Sequence, residues 1–167
     1  NVSNGQSGIT IQNLGVLSIN SKLASDSGWL CCDSFGRGCI NNIVSNCYSR
    51  GPISSNSTGG ILGARVGHNG GRVTVSKCYS SGDITGQYSG GIVASNAGYN
   101  YGIITIENCY STGNMTGSYN NRGGIFGSDP GYGWGEAIAI NCYSTGYIGS
   151  SYGIFGPILN TTSKINY

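Results

Sequence analysis

Charge is scarce in this sequence. Only 8% of its 167 residues are charged, with six acids against eight lysines and arginines; an average soluble domain carries roughly 25%. The net charge of +2 is small and scattered, so neither nucleic acid nor an anionic membrane is expected as a partner. Histidine occurs once, at position 68, with no nucleophile partner recognisable by motif, which leaves a catalytic triad unsupported. Proline occurs three times, and the 31 glycines follow no three-residue period, which excludes a collagen helix. No apolar run approaches the roughly 18 residues of a membrane span. No helical periodicity of useful length appears either. The chain begins at Asn1, so the lack of a visible leader carries no weight. Disorder is not indicated, because Ile, Val and 12 Tyr recur at fixed places.

What is present is repetition. The hexad Asn108-Cys109-Tyr110-Ser111-Thr112-Gly113 recurs with small changes at 46–51, 77–82 and 141–146, and its cysteines lie 31, 31 and 33 residues apart. Before each hexad stands a strictly alternating run such as Ile104-Thr105-Ile106, which has strand period. After it come a lone Ile53, Ile84, Met115 or Ile148, and then a Gly-Gly-Ile run at 59–61, 90–92 and 123–125, reduced to Gly153-Ile154-Phe155 in the last copy. A degenerate copy precedes these. Ile9-Thr10-Ile11-Gln12-Asn13-Leu14 places Leu14 in the cysteine column, and Gly28-Trp29-Leu30 takes the place of the Gly-Ile-Phe segment.

Segments this short cannot bury an apolar face alone, whereas stacked copies can. The expectation is all-β: a single-stranded parallel β-helix, right-handed, of about five coils of roughly 31 residues with three short strands per coil. Five coils make a rod of roughly 24 Å. One domain over 1–167 is expected, with a degenerate first coil at about 9–38, regular coils at about 40–156 and a cap or tail at 157–167. Glycine is expected to supply the positive-φ corners. Length changes are expected in the loops after the third strand, at 64–71, 95–102 and 128–135. A barrel or sandwich would want hairpin turns and longer strands.

The array Ile-x-Asn-Cys-Tyr-Ser-Thr-Gly-Asn-Met-x-Gly, followed by Gly-Gly-Ile-Phe-Gly, resembles the GLUG-type repeat across about 9–156. Such repeats occur in large bacterial surface proteins, adhesins among them, and similar arrays occur in giant-virus repeat proteins. The resemblance implies a structural or adhesive role. It implies no catalytic residue, because the family is defined by repetition.

Two registers are open for the hexad. An unbroken pleat from Ile104 would send Tyr110 inward and Cys109 outward. A bend at Asn108 would exchange the faces, and asparagine tolerates the left-handed conformation a bend needs. In the bend register Tyr48, Tyr79, Tyr110 and Tyr143 form an exposed ladder able to contact a partner or stack on sugar, although such a ladder can also simply stabilise its own stack. Cys47, Cys78, Cys109 and Cys142 then form a thiol column in the core, which suits folding in a reducing compartment. Cys31, Cys32 and Cys39 lack the zinc spacing and read as buried thiols or a disulfide. No metal and no cofactor is expected.

Glycoside hydrolysis needs two carboxyl groups at a defined separation. By repeat alignment Asp26, Asp33, Asp83, Glu107, Asp129 and Glu136 share no column in adjacent coils, and Arg50, Arg65, Arg72 and Arg122 occupy different columns. Thr74, Thr85, Thr105 and Thr116 are too irregular for an ice-binding face. Four N-x-S/T sequons, at Asn1, Asn56, Asn114 and Asn160, carry little weight in a chain so rich in these residues. The expected function is a non-enzymatic structural or adhesive module of a virion or cell surface, contacting neighbouring subunits or surface glycans. The alternative is a carbohydrate-binding or carbohydrate-active β-helix.

Overall fold

The computed structural model describes residues 5–158 and 162–166. The sequons at Asn1 and Asn160 lie outside that range. Among the described residues eleven strands alternate between two parallel sheets. The first sheet stacks β1 (Thr10–Gln12), β3 (Asn42–Ser45), β5 (Arg72–Ser76), β7 (Ile103–Glu107), β9 (Glu136–Ile140) and β11 (Lys164–Asn166). The second stacks β2 (Gly15–Leu17), β4 (Tyr48–Arg50), β6 (Tyr79–Ser80), β8 (Tyr110–Ser111) and β10 (Tyr143–Ser144). Every pairing is parallel and joins one copy to the next, as in Val75↔Ile106 and Tyr79↔Tyr110. The remaining walls are held by single bridges, Ile53↔Ile84↔Met115↔Ile148 on one and Leu62↔Val93↔Phe126↔Phe155 on another. The fold is therefore a parallel β-solenoid of about five turns. At the C-terminal end, β11 lies in register on β9, so residues 164–166 are the first strand of a further coil.

The bend register is the one adopted. Asn13, Asn46, Lys77, Asn108 and Asn141 all sit in the left-handed region, with φ between 51° and 59°. The expected first segment forms the first-sheet strand, and past each bend the hexad adds a short strand of the second sheet. Side-chain amides also bridge the corners, Asn46 Nδ2 donating to Asn13 Oδ1 at 2.6 Å. Past the bend, Cys47, Cys78 and Cys109 are buried, as are Ser49, Ser80 and Ser111, while the tyrosines between them face outward. Inside, Val44, Val75, Ile106 and Ala139 stack in one column and Ile61, Ile92 and Ile125 in another. Fully burying one such aliphatic side chain contributes about 1.5–3 kcal/mol.

Glycine does two jobs: at Gly67, Gly98 and Gly131 it supplies positive-φ corners as expected, with φ 68°, 74° and 71°, and in the hexad it answers a different demand. The hexad glycines Gly82, Gly113 and Gly146 do not have positive φ. A Cβ at each would lie 1.7–1.9 Å from the carbonyl oxygen of the equivalent glycine one coil below. They are glycine because neighbouring backbone passes too close for any side chain. The second glycine of the Gly-Gly run is similarly confined: a Cβ on Gly91 would meet Gly124 O at 2.0 Å and Ser111 Oγ at 2.5 Å. The hexad serine and the Gly-Gly run are thus matching surfaces across the interior.

Two placements also differ from expectation. Bridges Gly28↔Gly59 and Cys31↔Leu62 put Trp29, not Gly28, opposite Gly60, and make Leu30–Cys31 the equivalent of Ile61–Leu62. Length changes fall elsewhere too. The loops at 64–71, 95–102 and 128–135 keep one length, whereas the bridge columns are separated by 6, 6, 8 and 4 residues between Ile53–Gly59, Ile84–Gly90, Met115–Gly123 and Ile148–Tyr152. Insertions enter at the corner before the Gly-Gly run, where no in-register ladder has to be interrupted.

Candidate functional site

The tyrosine ladder projects from the outer face of the second sheet. Tyr48, Tyr79, Tyr110 and Tyr143 stack with centroids 5.2, 5.0 and 5.0 Å apart and planes within 8°. The parallel register puts identical rings one strand spacing apart, and that spacing is near the optimum for offset stacking. Arg50 lies 5.6 Å from the Tyr48 centroid and donates from its Nη2 to Tyr79 Oη at 3.4 Å. The consequence for recognition is restrictive. A sugar stacks on a ring face, and along most of this ladder the faces are already occupied by neighbouring rings. The ladder's first effect is to hold its own coils in register.

The thiol column lies in the core. Cys78 N donates to Cys109 Sγ at 3.3 Å, and Cys109 Sγ donates to Glu107 O at 3.2 Å. Hydrogen bonding to the Cys142 and Cys78 thiols, together with burial, holds the Cys109 thiol far above the ordinary range. All seven cysteines are free. Burial, with Cys32 and Cys47 adding, pushes Cys31 up to about 11. Cys39 is buried and Cys32 is exposed, so the three form no shared site. Among the described residues, no group of three or more His, Cys, Asp or Glu could hold a metal ion.

A second aromatic column, missed in the sequence, lies on the loop edge. His68, Tyr99 and Tyr132 occupy equivalent positions 31 and 33 residues apart, the same spacing as the cysteines. Tyr99 and Tyr132 stack at 5.1 Å, and His68 lies tilted at 6.5 Å. His68 Nδ1 is 2.7 Å from Arg65 O, and burial pushes its pKa down, so the ring is neutral at physiological pH. Beside the pair a shallow cavity of about 250 Å³ is lined by Arg65, Asn96, Tyr99 and Tyr132. Arg65 Nη2 reaches Asp33 at 2.8 Å and Asp26 at 3.5 Å. The fold thus brings together two carboxylates that the repeat alignment kept apart. One guanidinium engages both.

The remaining acids are dispersed. Asp83 Oδ1 accepts from Asn114 N at 2.9 Å, and Glu136 Oε1 accepts from Asn166 Nδ2. Both bonds join one coil to the next. Glu107 stands opposite Ile140 in the first sheet. Arg122 is fully buried. It occupies the position of Ser89 and Thr58, whose hydroxyls meet at 3.1 Å. Its guanidinium donates to Gly86 O at 2.9 Å, Thr85 O at 3.2 Å, Ser151 Oγ at 3.1 Å and Tyr119 O. No carboxylate is among those partners. It anchors the corner that carries the two-residue insertion.

Compared with family models, curated proteins and solved structures, the chain finds no match. Among the described residues no helix is long and apolar enough to cross a membrane.

Proposed function

We propose that this chain is a non-enzymatic structural or adhesive β-solenoid module of a virion or cell surface, in contact with neighbouring subunits or surface glycans. The observation that carries this reading is how the repeat spends its residues. The recurrent residues are used on stacking one coil upon the next, through the tyrosine ladder, the thiol column and the glycine contacts. A rod built this way is rigid and extensible, and it presents loops at fixed intervals along one edge. The resemblance to GLUG-type repeats supports the same role. The polar Asn, Ser, Thr and Tyr exterior suits contact with glycans or polar protein surfaces.

The test is location. Surface biotinylation or immunogold labelling of intact particles or cells of the source is expected to reach this chain without permeabilisation. Labelling only after lysis overturns the proposal. The second reading, a carbohydrate-binding or carbohydrate-active β-helix, is favoured by one observation: Arg65 with its two aspartates borders the tyrosine-lined cavity. Turnover of polysaccharide by the purified chain would establish the enzymatic branch.

A further inference from the structure

The loop edge holds two aromatic residues whose backbone conformation disfavours them. Tyr101 and Trp134 occupy one column in successive coils, since Gly70 N donates to Asn100 O and Tyr101 N to Gly133 O. In the coil before, that column holds Gly70, with φ 77°. Tyr101 and Trp134 keep the same left-handed conformation, with φ 62° and 65°. Glycine adopts it freely, and a bulky side chain does so only at a cost. Burial does not offset that cost, because the residues are 66% and 61% exposed. Among the described residues neither ring is stacked on another, in contrast to the tyrosine ladder. Strain that the fold does not need points to a function outside it.

Their surroundings indicate the ligand. Each follows directly on the loop residues that hold the Tyr99–Tyr132 stack, and a Cβ on Gly133 would lie 3.3 Å from the Tyr99 ring. The same loops carry a cavity that joins Tyr99 and Tyr132 to the side chains of Arg65 and Asn96. At about 250 Å³ it is smaller than a typical pocket for a drug-sized molecule, and it suits a single ring. Arg65 already faces Asp33 and Asp26, so it offers hydrogen-bond donors without an unmatched positive charge. Free aromatic faces on the same loops as polar donors, with no unmatched positive charge to attract an anion, fit a ligand with an apolar face and a hydroxyl rim.

We propose that the loop edge formed by 95–102 and 128–135 binds an uncharged glycan, with Tyr101 and Trp134 as stacking platforms and the Arg65–Asn96 cavity taking one sugar ring. This rests on the adhesive reading above and names its ligand. The closing test uses the full chain and glycine variants. Tyr101→Gly and Trp134→Gly restore the residue type found at position 70. Binding is measured on an array of neutral gluco-, manno-, galacto- and N-acetylglucosamine oligosaccharides, with calorimetry on any hit. The parent is expected to bind at least one class, and the double variant to lose at least tenfold in affinity. Its melting temperature is expected to stay level or rise. If the variants melt lower and the parent binds no sugar, the two rings are structural and the proposal fails. If the parent binds no sugar but self-associates through these rings, the edge serves a protein partner and the glycan assignment fails. Either result leaves the surface-labelling test of the broader function standing.

Discussion

Replacing Gly113 by alanine tests the claim that the hexad glycines exist for backbone approach and not for backbone freedom. The new Cβ would lie 1.9 Å from Gly82 O and 2.6 Å from Gly82 C. Ordinary contact begins near 3.4 Å, so the two coils must part locally by about 1.5 Å. That movement disrupts the flanking bonds Thr112 N to Ser80 O at 3.0 Å and Ile84 N to Asn114 O at 2.8 Å, because a bond stretched so far is no longer one. Two lost bonds cost about 2 kcal/mol, and overpacking adds about 1–3 kcal/mol. The total, about 3–5 kcal/mol, is a large share of a domain's stability. It corresponds to a fall of roughly 6–20 °C in melting temperature. Two controls separate the causes. Gly70→Ala meets nothing within 4 Å but has φ +77°, so it should cost about 1–2 kcal/mol. Gly153→Ala also meets nothing within 4 Å, and its φ is not in the strained range; it should lie within about 0.5 kcal/mol of the parent. Thermal unfolding followed by far-UV circular dichroism ranks the three. If Gly113→Ala melts with Gly153→Ala, the close-approach argument is refuted.

Three further outcomes are expected. Tyr79→Ala removes two stacked contacts and Tyr143→Ala one. At about 0.5–1.5 kcal/mol per aromatic pair beyond area burial, Tyr79→Ala should destabilise about twice as much in denaturant titrations. Arg122→Lys cannot reach four acceptors with one ammonium and should cost about 2–4 kcal/mol; an unchanged denaturation midpoint would show the fork to be dispensable. The Cys31 thiol is raised from 9.0 to about 11 on folding. Its contribution is therefore intact below pH 9 and lost as pH rises through about 11. The parent should lose more melting temperature than Cys31→Ala across that window.

Much of the fold was legible because identical residues at a constant spacing can be satisfied together only by stacking. The bend at Asn108 could be argued from asparagine's tolerance of positive φ, but Lys77 adopts the same conformation at φ 52° and carries no such sign in its residue type. The role of Gly113 was misread because one residue type answers two demands, freedom at positive φ and closeness of a neighbouring chain, and composition does not separate them. Trp29 was placed one residue off because a tryptophan stands where later coils have Gly60 and Gly91. His68, Tyr99 and Tyr132 were readable in principle, since their spacing matches that of the cysteines. They escaped because the loop was treated as variable. Arg122 had no comparable signal: nothing in the row of Thr58 and Ser89 announces that a guanidinium will be buried there.

The constant spacing between copies also governs how the chain reaches its fold. In the regular coils a strand meets its partner 31 or 33 residues away, so no contact between strands forms locally. Pairing of this kind is non-local throughout, as in slow-folding β proteins. The first pair of coils is the costly step, because a long loop must close before anything rewards it. Each later coil then lays its strands on an edge already built. Assembly proceeds by accretion from a seed, which can form at any pair of neighbouring coils.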